Sequence, residues 1–283
     1  MESVPPVRRE RRGLVGWLTD AVRPQAKKSR QLRNGGPKPL IDPQGRFVVY
    51  WSPKSACTTT LIWFLHVSGF AEEARRHSSW PHRYRLEVYN RSEAFRRDLA
   101  AGFKDMRRIR VIRDPYDRAV SSFRHAVGTG YADEGLSAFL KRDLETDERF
   151  SFREFLDYLE SENIATTNTH HRQQFQPIER RFPATDVINI TRQDLFTELN
   201  RLEREMGMAV TDFAALDWLH RTEAPRKPKV AASQQPAYEQ RMSAKAARGR
   251  SFWPATEALL TEEARARLAR IYRTDLAAYS DHL

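Results

Sequence analysis

The sequence predicts an α/β fold, a parallel β-sheet with helices on both faces, and three observations predict it. Short apolar runs, Phe47-Val48-Val49-Tyr50-Trp51, Ile109-Arg110-Val111-Ile112 and Val187-Ile188-Asn189-Ile190, read as buried strands. Each is followed by a helix-start signal, and that β–α alternation joins neighbouring strands in parallel. The first run also enters a tight turn of small residues and then a hydroxyl-rich helix start, a geometry that holds phosphates.

Taken in order, residues 1–45 read as an arm rich in proline and basic residues, among them Arg8, Arg9, Arg11 and Arg12. Leu14, Trp17, Leu18, Ala21 and Val22 fall on one helical face, which suits either a membrane surface or docking on the domain. Residues 46–283 read as one α/β domain. After the strand at 47–51, a helix runs from about Thr58 to Val67 and stops at Gly69. Tyr84, Leu86 and Val88 alternate, predicting a strand over 83–89, and a helix follows at about 91–100. Asp114-Pro115 ends the strand at 109–112, since proline suits the first turn of the next helix, which ends near Gly128-Thr129-Gly130. Ser151-Phe152-Arg153-Glu154 is a capping box opening another helix. Thr191-Arg192-Gln193-Asp194 opens the helix that closes at Gly207. Residues 223–254 lack periodicity and read as a long loop or lid. A last helix is expected from about Thr261 to Tyr279.

Composition narrows the function. Lys and Arg total 48 against 37 Asp and Glu, a net charge of +11, which favours anionic partners. Cys57 is the only cysteine, so no disulfide forms within the chain, and a reducing compartment is expected. No apolar stretch approaches the ~20 residues of a membrane span, and arginines interrupt the signal-peptide pattern. The expectation is a cytoplasmic enzyme, with membrane association open through the basic arm. No His-Glu-x-x-His spacing or thiolate cluster points to a metal.

Two segments carry the chemistry. Pro53-Lys54-Ser55-Ala56-Cys57-Thr58-Thr59-Thr60 combines a turn, a cation and a helix N-terminus, whose N–H groups and dipole favour an anion. It lacks the Gly-Lys-Ser/Thr triplet of the nucleotide loop. Arg113 closes the next strand, and Ser121 follows about two turns into its helix, placing a planar fork and a hydroxyl for a second phosphate. Plainer roles stand beside these: Thr58 and Thr59 as helix caps, Arg113 as an ion-pair partner of Asp114 or Asp117, and Arg118 paired within its own helix.

These two segments resemble those of the sulfotransferases that use 3′-phosphoadenosine-5′-phosphosulfate (PAPS), especially the chondroitin/dermatan and heparan 2-O carbohydrate types. The likeness covers roughly residues 46–280 and departs at Thr60, where many relatives carry a large residue. It implies a P-loop-type parallel sheet. It also implies that Lys54, Ser55, Ala56, Cys57, Thr58 and Thr59 hold the 5′-phosphosulfate, and that Arg113 and Ser121 hold the 3′-phosphate. Weaker likeness extends to Phe152-Arg153-Glu154-Phe155, His170-His171-Arg172-Gln173-Gln174 and Ile271-Tyr272-Arg273-Thr274-Asp275, with His170 and Gln174 expected to meet substrate. The resemblance places the acceptor near residues 77–82, so His82 and then His77 are the expected general bases, with Glu87 as a carboxylate alternative. The other histidines, His125 included, are expected to be structural.

The implied reaction is in-line sulfuryl transfer to a hydroxyl of a carbohydrate or other alcohol, leaving adenosine 3′,5′-bisphosphate, with Lys54 stabilising the leaving group. An acidic glycan suits the charge, no nucleic acid partner is expected, and no metal is needed. Two readings compete. A P-loop phosphotransferase would need the missing triplet and a strand ending in a magnesium-binding aspartate. A non-catalytic polyanion binder would use the +11 charge and leave Lys54 without a task.

Overall fold

The structure is a computed structural model that describes residues 36–144, 148–221, 229–230, 237–249 and 252–283. The amphipathic stretch at 14–22 lies outside these residues.

Its elements run β1 (Leu40–Ile41), β2 (Phe47–Tyr50), α1 (Cys57–Val67), α2 (Ala71–His77), α3 (Pro81–Glu87), α4 (Glu93–Ala101), β3 (Arg107–Ile112) and α5 (Pro115–Thr129). Then come α6 (Asp133–Leu140), α7 (Phe152–Ser161), α8 (Pro177–Arg181), β4 (Asp186–Asn189), α9 (Leu195–Glu205) and α10 (Asp217–Arg221). The rest comprises β5 (Lys229–Val230), α11 (Ala244–Ala247), β6 (Phe252–Trp253), α12 (Thr256–Leu259), α13 (Glu262–Ile271) and α14 (Arg273–Ala278).

The expected α/β sheet is present, in the order β1-β2-β3-β4. β2, β3 and β4 are parallel, with Tyr50 opposite Arg110 and Ile112 opposite Asn189. Their C-terminal ends therefore lie side by side, and the residues that follow them, Trp51 onward and Arg113 onward, are neighbours. β1 adds an antiparallel edge, so the last residues of the 1–45 arm belong to the sheet, with Leu40 and Ile41 buried. β2 is a continuous apolar run, buried at every position, as expected of a strand with both faces covered, whereas β3 and β4 carry polar residues among their buried ones. Helix α1 is buried from Thr60 to Leu65, and Trp63 Nε1 donates to Glu203 of α9 at 2.8 Å. A second apolar core joins α5, α7 and α13 with residues 237–247.

Local signals explain the helix ends that position the site. Asp114 caps α5 by accepting from the Tyr116 N–H at 2.8 Å, with Pro115 in the first turn. The capping box at Ser151 and Glu154 is made in both directions, at 3.1 and 2.8 Å. Ser151→Ala is expected to cost about 1 kcal/mol of stability, read as a lower denaturation midpoint; an unchanged midpoint would deny the cap its role.

Three expectations change. Residues 81–87 form a helix, not a strand, because Pro81 pre-organises a first helical turn. The apparent alternation is not a buried face, since Tyr84 is 2% exposed and Leu86 46%. The last helix breaks at Tyr272 (φ −101°, ψ 26°). This fully buried tyrosine donates its hydroxyl to the His171 carbonyl at 2.8 Å. Where it is described, the 223–254 segment is packed rather than lid-like: Ala237, Tyr238, Met242, Ala246, Ala247 and Trp253 enter the second core. Its residues 223–228, 231–236 and 250–251 lie outside the described residues. Helices α2, α6 and α8 had no clear sequence signal. No described helix is long and apolar enough to cross a membrane.

Candidate active site

The turn after β2 adopts an unusual backbone without glycine. Lys54 (φ 71°) and Ala56 (φ 53°) both lie in the left-handed region, which costs an L-residue roughly 1–2 kcal/mol each. Such alternation curls successive N–H groups into an anion-binding nest. Ala56 is also the N-cap of α1 and provides no side-chain cap. The N–H groups of the first helical turn are thus left to an incoming anion, backed by the helix dipole. Thr58 and Thr59 sit within that turn and do not cap it. Thr60 is fully buried, with its hydroxyl unpartnered among the described residues.

Gln174 joins this turn to the end of β3. Its Oε1 accepts from Ser55 Oγ at 2.9 Å and from the Arg113 N–H at 3.0 Å, and its Nε2 donates to the Arg113 carbonyl at 2.8 Å. The two predicted anion segments therefore share one amide oxygen. Gln174 is fully buried with its amide spent on these bonds, so it sits behind the two loops rather than on an acceptor-facing surface. Ser55, also fully buried, turns its hydroxyl inward. Behind Gln174, Asp275 of α14 accepts from the Gln174 and Phe175 N–H groups at 2.8 Å each. Burial pushes the Asp275 carboxyl up, while Arg118 and Arg110 pull it down. Arg110 is fully buried, donates to Ser52 Oγ at 2.8 Å and to the Gln174 carbonyl, and lies 3.8 Å from Glu179.

The charges around the nest are positive. Burial lowers the Lys54 ammonium to about 8, and Arg113, Arg124 and Arg118 push it the same way. The Arg113 guanidinium makes no hydrogen bond or ion pair among the described residues, although Asp117 and Asp114 lie close enough to favour its charge. Ser121 is half-buried nearby on α5. Arg118 does not pair within its helix. Its Nε donates to the Pro53 carbonyl at 3.1 Å, and its terminal nitrogens complete no hydrogen bond among the described residues. Sequence reasoning missed this bracing of the loop because Arg118 and Pro53 are 65 residues apart.

The histidines divide into three groups. His77 lies on exposed α2 and meets Glu87 at 3.0 Å, with Arg83 on the same carboxylate at 3.2 Å. Nothing described joins His77 or Glu87 to the nest. His82 does reach it: Nε2 is 3.2 Å from Thr58 Oγ1, and Nδ1 accepts from Arg85 Nε at 3.3 Å. Burial, with Arg85 and His170, lowers the His82 imidazole to about 3. The third group is His170 with His125, ring centroids 4.8 Å apart and both packed on Tyr131. Burial followed by the Lys54 charge lowers both, His125 to about 3 and His170 to about 4; His125 stands one turn along α5 from Ser121, and His170 packs against it. His125 therefore departs from the structural role expected of it. Its position four residues after Ser121, on the same helix face, was the signal that could have found it.

A nest at a helix N-terminus, ringed by Lys54, Arg113 and Arg118, has the charge and the N–H groups to hold a multiply charged anion. No curated protein and no solved structure matches the chain. Residues 39–280 match the model of the sulfotransferase family, so the chain belongs to that family and is a sulfotransferase.

Proposed function

We propose that this sulfotransferase moves a sulfuryl group from PAPS to a hydroxyl of a carbohydrate or other alcohol. The single observation that carries this reading is the shared oxygen of Gln174, which ties the Lys54 loop and the Arg113 strand end into one cationic site. A donor with phosphates at both ends of an adenosine needs two adjacent anion sites, and the residues present fit it. In this reading the nest from Lys54 to Thr59 takes the 5′-phosphosulfate and Arg113 with Ser121 takes the 3′-phosphate. The bound donor supplies an activated S–O bond. Lys54 and the helix N-terminus neutralise the charge that grows on the bridging oxygen as that bond breaks. Their dipoles and charges are set in place before the reaction, which is why they act strongly in a water-poor site. Arg118 and Gln174 hold the loop. The net charge of +11 suits an acidic glycan acceptor. Cys57 as the only cysteine suits a cytoplasmic setting.

The Lys54 ammonium gives the test. A dianion favours its charged form, so binding is strongest while Lys54 is protonated and weakens as pH rises through about 8. Phosphate is already doubly charged above pH ~7, its second pKa lying near 6, so the ligand contributes no opposite trend. Adenosine 3′,5′-bisphosphate is therefore expected to raise the melting temperature more at neutral pH than at a pH well above 8. Lys54→Arg, which stays charged, should flatten that difference. No stabilisation at any pH would contradict the reading.

A further inference from the structure

We propose that His170, oriented by Asn168, takes the proton from the attacking hydroxyl, and that His82 is instead a fixed donor to Thr58. This rests on the sulfuryl-transfer reading above and assigns the proton acceptor that reading requires. As the acceptor oxygen bonds to sulfur, its proton passes to His170 Nε2. The S–O bond to the 5′-phosphate breaks, and the phosphate leaves with the electron pair beside Lys54.

The assignment follows from which ring nitrogen carries hydrogen, and fixed partners decide that. The backbone N–H of His170 donates to Asn168 Oδ1 at 3.0 Å, which identifies that atom as the amide oxygen. The same oxygen lies 3.1 Å from His170 Nδ1, so Nδ1 must be the donor. The neutral ring then keeps its lone pair on Nε2, which has no hydrogen-bond partner among the described residues. Ser122 Oγ donates to the His170 carbonyl at 2.9 Å and ties this segment to α5. A base held by a third group is the usual arrangement for activating a hydroxyl.

His82 carries the opposite tautomer. Arg85 Nε can only donate, so His82 Nδ1 is the acceptor and Nε2 carries the hydrogen. Nε2 then donates to Thr58 Oγ1, leaving the Thr58 hydroxyl hydrogen for the bound anion. Such a ring has no lone pair left to act as base.

The groups facing His170 set its pH response. They are Lys54 from the loop, Arg118 and His125 from α5, Tyr131 with its ring centroid 4.6 Å away, and His82 and His171, whose imidazoles feel it. Burial, Lys54 and Arg118 together lower it. Bound phosphates offset the two cations, so the imidazole rises toward its ordinary value when the donor is in place. The donor-saturated rate should fall as pH drops through that raised value, because the ring is then protonated.

Long-range proton–nitrogen spectra of the full chain, labelled at histidine and saturated with adenosine 3′,5′-bisphosphate, test the tautomers directly. His170 should show Nδ1–H and His82 Nε2–H; the reverse tautomer on either ring overturns the proposal. Asn168→Ala should mix the His170 tautomers, and Asn168→Asp should restore Nδ1–H. Rates come from single-turnover consumption of labelled donor with desulfated glycosaminoglycan present, counting transfer to polymer and to water alike. His170→Gln should slow consumption about a hundredfold or more and remove the acid limb, with bisphosphate affinity kept. His82→Gln should weaken donor affinity and keep the acid limb. A His170→Gln variant at the wild-type rate, or loss of the limb in His82→Gln, overturns the assignment. A wild-type chain that neither binds the bisphosphate nor consumes donor overturns the functional reading as well, a result distinct from failure at His170 alone.

Discussion

Lys54→Ala is expected to leave a folded protein whose sulfuryl-transfer rate falls about a hundredfold or more, since removing one preorganised donor to a developing oxyanion costs ~2.7–4 kcal/mol of barrier. Stability should not suffer. Lys54 sits among Arg113, Arg124 and Arg118, each of which disfavours its charge, so the substitution relieves repulsion in the empty site. A melting curve and a rate on the same sample check both halves. A variant at near-normal rate would remove Lys54 from the mechanism, and an unfolded variant would mean that its strained turn is structural first.

The second large effect is expected at Asp275, which never meets the donor in this account. Asp275→Ala should destabilise the fold by about 2–6 kcal/mol, because two buried N–H groups, those of Gln174 and Phe175, lose their acceptor at about 1–3 kcal/mol each and a negative charge is removed from beside two buried guanidinium groups, of which Arg110 keeps Glu179. Arg110 and Arg118 are fully or almost fully buried close by. Asp275→Asn keeps an acceptor oxygen and should lose less. Denaturant titration of both variants measures this. An Asp275→Ala protein of unchanged stability would show that the buried network is neutral, and the support of Gln174 would need another source.

These two residues also mark what could be read from the chain alone. The Lys54 loop and the Arg113 strand end are local features. An apolar run, a turn and a helix start within a dozen residues carry their own physics, and the sheet brings the segments together because parallel strands end on one side. The parts that complete the site are not local. Gln174 bonds Ser55 across 119 residues and Arg113 across 61, and Asp275 reaches Gln174 across 101. No periodicity encodes such pairings.

The histidines show the same limit in chemical form. The family resemblance suggested His82, and the structure does bring it to Thr58 of the nest. Whether a ring can accept a proton depends on its neighbours, and Arg85 determines that for His82. The misread helix at 81–87 had a visible signal in Pro81, which outweighs three loosely alternating apolar residues. The break at Tyr272 had none, since neither glycine nor proline marks it. It arises from a buried hydroxyl finding the His171 carbonyl.

Calorimetric titration of the wild-type chain and Arg113→Ala, each with adenosine 3′,5′-bisphosphate and with adenosine 5′-monophosphate, tests the paired anion sites most directly. The account predicts that the wild type binds the bisphosphate far more tightly than the monophosphate, and that Arg113→Ala loses this preference while still binding the 5′-phosphate. Equal wild-type affinity for the two nucleotides would contradict it.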